Sequence, residues 1–414
     1  MLKKLKKPKH GWVSALTKGR YDDFGHMVRT RLQRVAGAGD SLFYVGTCDD
    51  VLNARIKADA ETALKTGPFS VTDKNGCAPS GDKADYYSGA PYWWPNPETE
   101  DGLPYVRRDC DRMPDTELYG AESRRYDRTA LQHLIDSVTA LTLAGGEKAH
   151  GKAAGLLKHW FLVPASAMKP NMAYAQVRLG HGGNTGAPAG LIEARAMALL
   201  PDCIGRLEES CALDAEDVEK FKDWFAALLQ WFQNAPQAHK ERRSNNNHGT
   251  NHDLLCISLA LFVGDKKRLR NYMTRSLKRL PLQFALDGDQ PAEAMRPHVL
   301  HYCTYNLQSW LLAARALSAA GADMGAARAI FARAAKHLWQ RYLADPAQAG
   351  REGFVPQRLV PLLQEIQAYR SADWIEEALR HADLQIVPEC FHPFTGIPPY
   401  WRMMLLCPEE RALS

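Results

Sequence analysis

The chain lacks the marks of several large protein classes. Its 414 residues include nine cysteines but no Cys-x-x-Cys pair, which argues against a disulfide framework. No run approaches the roughly 18 consecutive apolar residues that a membrane-spanning helix needs. The net charge of +5 is too small to indicate a nucleic acid as partner. What remains is a globular protein, in which 45% hydrophobic residues can build a large core.

Motifs for common cofactors, metals and targeting signals are incomplete. The glycine-rich stretch 180–186 follows no predicted strand and lacks the Lys-Ser/Thr of a phosphate-binding loop. His248 and His252 are four residues apart, but no Glu stands between them as in the zinc motif HExxH. We therefore expect no cofactor and no metal. The basic N terminus continues into no apolar signal segment, which predicts a cytoplasmic protein, or a periplasmic or secreted one if a leader was removed.

Hydrophobic periodicity predicts an almost entirely helical protein. Residues 1–70 have the mixed polarity of surface helices, whereas 71–127 are rich in Gly, Pro, Tyr and Trp and show no period. From residue 128 onward no convincing strand pattern interrupts the predicted helices. Pro297 suits the first position of a helix, with Arg296 just before it. Helices are predicted at 128–144, 147–162, 191–207, 214–232, from about 250 to 262, and at 266–280, 297–320, 325–343 and 356–381.

Paired helices without a repeating signature favour a toroid over a solenoid. We expect an all-α fold, an (α/α)6–7 incomplete toroid or barrel that carries one irregular Trp/Tyr/Pro-rich loop segment. The expected organisation is a single catalytic domain, in which residues 1–70 add a helical segment to the toroid of residues 71–414.

Four side chains offer the most complete chemistry in the sequence: Asn247, His248, Arg296 and Tyr302. Removing the C5 proton of a uronic acid requires donors that neutralise the carboxylate as negative charge develops. It also requires a base for that proton and an acid for the departing O4. Tyrosine, with an ordinary pKa near 10, can act as the base only beside a cation, and Arg296 is a candidate for that cation. The set is suited to a uronate lyase.

Each of these residues also has a purely structural interpretation. Asn245 to Asn247 can form a polar turn, with His248 as a helix cap. Arg296 can pair with Glu293 at i,i+3 spacing, and Tyr302 can be a core phenol. Three further histidines are most simply local polar residues, although one of them can supply a second acid–base group: His252, His298 and His301.

Two further clusters carry groups that suit sugars. In the first, aromatic faces of Tyr87, Trp93 and Trp94 can contact sugar rings, and the forks of Arg107 and Arg108 can bind carboxylates. The alternative is a proline-stiffened loop whose tryptophans fix it to the core. The second cluster is a polar loop at 171–186, from which Gln176 and His181 are the candidate substrate ligands.

These clusters, in this order, resemble the alginate lyase superfamily of helical-toroid polysaccharide lyases over roughly residues 84–320. The similarity is greatest to polysaccharide lyase family thirty-eight, with family five more distant. The stretches that carry it are DYYSGAPYWWPNP, DGLPYVRRD, LLKHWFLVP, MKPNMAYAQ, NNNHGTNHD and DGDQPAEAMRPHVLHYCTYNLQSW.

The resemblance implies metal-independent β-elimination on a 1,4-linked polyuronate, either mannuronate-rich alginate or glucuronan. It implies that Asn247 and His248 lie beside the substrate carboxylate and that Arg296 holds the substrate and tunes the phenol. Tyr302 would be the acid, and also the base when proton and leaving group lie on the same side. The expected substrate ligands are Tyr87, Trp93, Trp94, Arg107, Arg108, Gln176, His181, Asn246, Glu293 and His298.

Two other functions remain open on the same scaffold. One is a polyuronate-binding protein without activity. The other is a glycoside hydrolase, which needs two carboxylates, about 5–5.5 Å apart for retaining or about 6.5–9.5 Å apart for inverting chemistry. Its candidates are Asp287, Asp289 and Glu293.

Overall fold

The computed structural model describes residues 49–109, 111–116, 124–382, 398 and 401–402. The part of the predicted N-terminal helical segment before residue 49 lies outside these ranges. The described α-helices are α1 (Asp49–Ala63), α2 (Arg128–Ala144), α3 (Glu147–Phe161), α4 (Leu200–Glu209), α5 (Ala215–Asn234), α6 (Pro236–Glu241), α7 (Asn247–Phe262), α8 (Lys266–Gln283), α9 (Pro291–Ala294), α10 (Val299–Ala319), α11 (Gly325–Ala344), α12 (Pro346–Arg351), α13 (Val360–Gln367) and α14 (Asp373–His381).

Successive helices pack in pairs around one large hydrophobic core. Helix α1 packs on α2, α2 on α3, α7 on α8, and α10 on both α7 and α11. The core cluster runs from Leu52 in α1 to Trp401, and Trp160 and Trp310 are among its largest fully buried side chains. This arrangement of paired helices confirms the predicted α/α toroid.

Helix α7 passes through the centre of the molecule. All its residues are buried except His248 and Leu261, which are half-buried. A helix that is apolar around most of its circumference is stable only when other helices surround it. Asn246 caps its first turn, since its Oδ1 accepts a hydrogen bond of 3.1 Å from the His248 backbone N–H. Because the helix begins at Asn247, the half-buried His248 lies in its first turn.

Four short strands accompany the helices, and the last of them lies after residue 128, where no strand was expected. Strand β1 (Tyr87–Gly89) pairs in parallel with β4 (Tyr174–Val177), and β2 (Trp93–Trp94) pairs antiparallel with β3 (Val106–Arg107). Strands of two to four residues are too short to display an alternating pattern in a sequence.

Proline divides two of the predicted helices. The stretch 191–207 is a 3₁₀ helix (Pro188–Leu199) followed by α4, which has Pro201 in its first turn. The stretch 356–381 is a 3₁₀ helix (Pro356–Leu359), then α13, then α14. Proline favours the first turn of a helix, so new helices begin at or beside Pro188, Pro201, Pro356 and Pro361, whereas the break between α13 and α14 contains no proline.

The helix predicted to start at Pro297 begins later. Helix α10 starts at Val299, and His298 is its N-cap residue. Pro297 is therefore outside the helix, and Arg296 belongs to the turn that precedes it. The consequence for the site is that Arg296 can fold back over the first turn of α10.

Two buried charged side chains attach the irregular segment to the helices. Lys74 Nζ donates to the carbonyl oxygens of Val71 (2.6 Å) and Asp85 (3.0 Å) and forms an ion pair with Asp127 (2.9 Å) just before α2. Glu193 accepts hydrogen bonds from Tyr86 Oη (2.9 Å), Ser88 Oγ (2.6 Å) and Gln176 Nε2 (3.0 Å). These bonds fix β1 and β4 against the toroid. Across the described ranges, no helix has the length and apolarity needed to cross a membrane.

Candidate active site

A cleft of about 340 Å³ opens where the irregular segment meets the starts of α7 and α10. Seven of the predicted site residues line it: Trp93, Arg107, Gln176, Asn247, His248, Arg296 and Tyr302. The lining also includes polar residues that the sequence interpretation did not assign to a substrate: Tyr92, Arg112, Arg128, Arg178, His301 and Tyr305. The predicted reacting groups are therefore gathered at one place.

Tyr302 is held by a guanidinium. Arg296 Nη2 donates a hydrogen bond of 2.8 Å to the phenol oxygen, and the Arg296 Cζ lies 3.9 Å from the ring centroid. The Tyr92 hydroxyl is 3.4 Å from the Tyr302 hydroxyl. A cation that donates to the phenol oxygen favours the charged form of the phenol. The geometry lets Tyr302 both give and take a proton.

Asn247 is fixed by Glu293, which was predicted as a substrate ligand. Glu293 is buried and accepts from the Asn247 backbone N–H (2.6 Å) and from Asn247 Nδ2 (2.8 Å). Burial raises the pKa of Glu293, and the hydrogen bonds from Asn247 limit that rise. Both Glu293 oxygens are thus used in positioning. One amide proton of Asn247 remains for a substrate oxygen.

His248 is oriented by Glu241, a residue that the sequence interpretation missed. The imidazole Nδ1 lies 2.6 Å from Glu241 Oε1, in helix α6. Burial by itself lowers the pKa of His248, but the Glu241 carboxylate outweighs it and the pKa is raised above its ordinary value. A carboxylate only accepts, so Nδ1 carries a proton and Nε2 is the nitrogen available to the cleft. No local sequence pattern marks Glu241, because α6 and α7 are separate helices.

A second histidine in the cleft, His301, contacts a cation where His248 contacts a carboxylate. Arg358 Nη2 lies 3.0 Å from Nδ1 of His301. A guanidinium only donates, so this Nδ1 is an acceptor and the ring proton is on Nε2. The His301 ring meets Tyr302 edge-on at 4.8 Å and stacks on Tyr305 at 6.0 Å. His248 is thus suited to accept a proton, and His301 to donate a hydrogen bond.

Gln176 occupies a strained position at the edge of the cleft. Its φ of 52° lies in the left-handed region, which residues other than glycine rarely adopt. Its backbone N–H donates to Ser88 Oγ (2.7 Å), and its Nε2 donates to Glu193 Oε1 (3.0 Å). A Cβ at Gly186 would lie 2.6 Å from the Ala175 carbonyl oxygen, so β4 is closely covered on that side. The surroundings therefore hold the Gln176 amide in one orientation.

The wall opposite α7 and α10 is built of arginine and aromatic side chains. Trp93 pairs across the β2–β3 ladder with Arg107, and the Arg178 guanidinium lies 5.1 Å from the Trp93 ring centroid. Arg112 lies 5.5 Å from the Tyr92 ring. In all, five arginines and no Asp or Glu are found among the described lining residues. Such a cleft is suited to a polyanion.

Besides Glu293, six predicted substrate ligands are outside the residues that line the cleft: Tyr87, Trp94, Arg108, His181, Asn246 and His298. Tyr87 is buried against Tyr126, with ring centroids 5.0 Å apart. Trp94 Nε1 donates to the Asp111 carbonyl (2.9 Å), and Arg108 lies over the Trp94 ring at 4.8 Å. These three side chains hold the loop and are outside the cleft lining, and their role as substrate ligands stays a prediction.

The remaining predicted ligands also have structural partners. Asn246 is the cap of α7, and His298 is the N-cap residue of α10, where its carbonyl accepts the Tyr302 backbone N–H (3.0 Å). The ring of His181 meets Trp93 edge-on at 4.8 Å, while its Nε2 donates to the Tyr105 carbonyl (2.7 Å). His181 therefore supports Trp93.

The carboxylates proposed for a hydrolase are not paired in the cleft. Asp287 is exposed, and Asp289 faces His337 (3.6 Å) and Arg341 (3.5 Å). Glu293 is occupied by Asn247, as described above. Within the described ranges, no group of three or more His, Cys, Asp or Glu side chains is arranged to hold a metal ion.

Periodicity marks one of the missed residues. Tyr305 lies three residues after Tyr302, and i,i+3 residues share one face of a helix. It could have been found by extending the pattern from Tyr302. Arg178 follows the last residue of β4, and no periodic pattern marks it.

Comparisons with known proteins agree with this geometry. The family model described as "Alginate lyase" matches residues 70–349, which is more than half of the chain. A crystal structure of an alginate lyase from Bacteroides ovatus superposes with a TM-score of 0.72 at 28% sequence identity, covering 90% of this chain and 98% of that one. A search of curated proteins finds no match.

Proposed function

The chain belongs to the alginate lyase family and is a polysaccharide lyase, and from that premise we propose that it cleaves a 1,4-linked polyuronate by β-elimination without a metal. We propose mannuronate-rich alginate or glucuronan as the substrate. The observation that carries the proposal is the contact between Arg296 and Tyr302 beside Asn247 and His248, in a cleft lined by five arginines.

The proposed reaction begins with the substrate carboxylate. Asn247 offers its second amide proton, and protonated His248 or Arg296 offers positive charge, where the carboxylate becomes enolate-like. Stabilising that charge lowers the cost of removing the C5 proton. The raised pKa of His248 supports this role, because it keeps a larger fraction of the imidazole protonated near neutral pH.

Proton transfer then completes the elimination. The base takes the C5 proton, and the electron pair of the broken C5–H bond forms the C4–C5 double bond. The C4–O4 bond breaks, and its electron pair leaves with O4. Tyr302 protonates O4 as it leaves. When the C5 proton and O4 lie on the same side of the ring, we propose that Tyr302 in its phenolate form is also the base. When they lie on opposite sides, Nε2 of neutral His248 takes the C5 proton.

The test is to offer purified protein polymannuronate, polyguluronate and glucuronan separately and to follow the ultraviolet absorbance of unsaturated uronates. Absorbance that rises on polymannuronate or glucuronan supports the proposal and identifies the polymer. A rise on polyguluronate alone would contradict the proposed substrate but not the elimination. New reducing ends without absorbance would indicate hydrolysis and contradict the elimination itself.

A further inference from the structure

The first turn of helix α10 is not capped by its own N-cap residue. His298 occupies that position, and its side chain makes no hydrogen bond to the turn. The first backbone N–H groups of a helix have no partner within the helix, so an oxygen from elsewhere must accept from them. Tyr302 is the fourth residue of α10. The groups that hold this turn therefore decide where the phenol lies.

A carboxylate from a later part of the chain supplies the missing oxygen. Glu352 Oε2 accepts a hydrogen bond of 3.1 Å from the Leu300 backbone N–H. Its Oε1 accepts from Gln348 Nε2 (3.1 Å) in α12, which fixes the carboxylate. A negative charge at the start of a helix also interacts favourably with the helix dipole. Glu352 thus does for α10 what an N-cap side chain usually does.

A second side chain from the same part of the chain reaches the next residue of the turn. Arg358 is 5% exposed and lies in the 3₁₀ helix Pro356–Leu359. Its Nη2 donates a hydrogen bond of 3.0 Å to His301 Nδ1, and its guanidinium carbon lies 5.2 Å from the Phe354 ring centroid. Leu300 and His301 are consecutive, so Glu352 and Arg358 hold adjacent positions of one helical turn.

The Arg358 bond fixes the tautomer of His301. A guanidinium only donates, so Nδ1 is the acceptor and the ring proton is on Nε2. The partner of one ring nitrogen decides the state of the other. His301 lines the cleft, and its ring meets that of Tyr302 edge-on at 4.8 Å. In this tautomer the ring is a hydrogen-bond donor to a substrate oxygen beside the phenol.

Glu352 and Arg358 act from outside the cleft. Neither is among the described lining residues, and both follow residue 349, where the match to the family model ends. They reach the reacting groups only through the backbone and the imidazole of the first turn of α10. We propose that they are positioning residues for the elimination: Glu352 fixes the start of α10, and Arg358 keeps the proton of His301 on Nε2.

The inference rests on the proposed function, because positioning affects a rate only if a reaction takes place in this cleft. A displacement of about 1 Å at a reacting group can cost about a hundredfold in rate. Loss of either contact is therefore expected to lower kcat. KM is expected to change little, because neither side chain lines the cleft.

The first experiment compares Glu352→Ala with Asp214→Ala. Asp214 caps α5, where its Oδ1 accepts from the Asp217 backbone N–H (2.8 Å), and it does not line the cleft. Both variants lose one helix cap, so both are expected to lose a similar amount of Tm. Only Glu352→Ala is expected to lower kcat, by about tenfold, with KM near the wild-type value. Glu352→Gln keeps an acceptor and is expected to restore most of kcat.

Two outcomes of this comparison would overturn the role of Glu352. One is a kcat in Glu352→Ala equal to that in Asp214→Ala, since both then act through stability alone. The other is a raised KM with an unchanged kcat, which would place Glu352 in substrate binding.

The second experiment reads the tautomer of His301 by nitrogen-15 NMR of protein labelled at histidine. His301→Gln identifies the His301 signals by their loss. In the wild type we expect an unprotonated Nδ1 and a protonated Nε2. This measurement needs no altered Arg358, so it decides the tautomer even where a variant does not fold. A wild-type His301 protonated on Nδ1 would overturn the role of Arg358.

Two variants of Arg358 connect the tautomer to the rate. Arg358→Met removes the donor and is expected to move His301 toward the other tautomer and to lower kcat. Arg358→Lys keeps a donor and is expected to retain most of both. If the wild type shows the expected tautomer but no elimination on any polyuronate, the proposed function fails and the assigned tautomer stands. If elimination occurs and kcat is unchanged in Glu352→Ala and Arg358→Met, the positioning inference fails and the proposed function stands.

Discussion

Arg296 and Tyr302 are in direct contact in the cleft: the guanidinium donates to the phenol oxygen at 2.8 Å and covers the ring at 3.9 Å. The sequence separation of six residues does not by itself produce this contact. It arises because α10 begins at Val299, so that Arg296 lies in the preceding turn and folds back over the first turn of the helix.

Replacing Tyr302 by Phe tests the phenol directly. The change removes one hydroxyl at the cleft surface, so the fold is retained while the rate of elimination falls about a hundredfold or more. The measurement is kcat, together with a thermal unfolding curve. Tyr272→Phe is the matched control, because its buried hydroxyl donates to Gln233 (3.1 Å) away from the cleft. Full activity in Tyr302→Phe would remove the phenol from the mechanism.

Glu241→Gln tests the link between this carboxylate and His248. The Glu241 charge raises the pKa of His248, so its loss lowers that pKa. The pH–rate limb that belongs to His248 is expected to move to lower pH. If the protonated imidazole is required, the alkaline limb moves, and if the neutral imidazole is required, the acidic limb moves. A pH profile identical to that of the wild type would contradict the assignment.

The same variant has a stability signature with a definite sign. A histidine whose folded pKa is raised adds stability that is fully present below the unfolded pKa and is lost as pH rises through the folded pKa. The difference in Tm between wild type and Glu241→Gln is therefore expected to be largest at mildly acidic pH. Thermal unfolding at several pH values measures it, and a difference that grows with pH would contradict the assignment.

Gln176→Gly and Gln176→Ala separate backbone strain from the role of the side chain. Both variants lose the amide held by Glu193, and both are expected to lose activity. Only glycine accepts the positive φ without cost, so Gln176→Gly is expected to be about 1 kcal/mol more stable than Gln176→Ala. Urea unfolding of the pair measures the difference. Equal stabilities would show that the left-handed backbone is not strained.

Chelation tests the proposal that no metal takes part. In the proposed mechanism Asn247, His248 and Arg296 supply the positive electrostatics at the substrate carboxylate. Incubation with EDTA and removal of the chelate are therefore expected to leave kcat and KM unchanged. Loss of activity that a divalent cation restores would contradict metal independence.

The grouping of the candidate reacting residues in one cleft was predictable because each pair is local in sequence. Asn247 and His248 begin one helix, and Arg296 and Tyr302 flank the start of another, so short motifs carry them. The helices of the toroid were predictable from their period for the same reason. The helix boundaries at Pro201 and Pro361 were harder to predict, because an apolar pattern continues across both prolines.

The partners of these residues were not predictable, because they depend on tertiary contacts. Glu241 reaches His248 from another helix, and Glu193 reaches Ser88 and Gln176 from a distant segment. The positioning role of Glu293 was not predictable for a related reason, since it depends on hydrogen bonds to Asn247, 46 residues earlier in the chain. Sequence indicates which chemistry is present, whereas long-range packing decides which groups face the cleft.

The most direct test of the central claim is the ratio of unsaturated uronates to new reducing ends during cleavage of the polymer that the wild type degrades. β-Elimination forms one C4–C5 double bond for every glycosidic bond broken. We predict a constant ratio of one to one, with both products lost together in Tyr302→Phe. Reducing ends that form without ultraviolet absorbance would contradict the account and assign the cleft to a hydrolase.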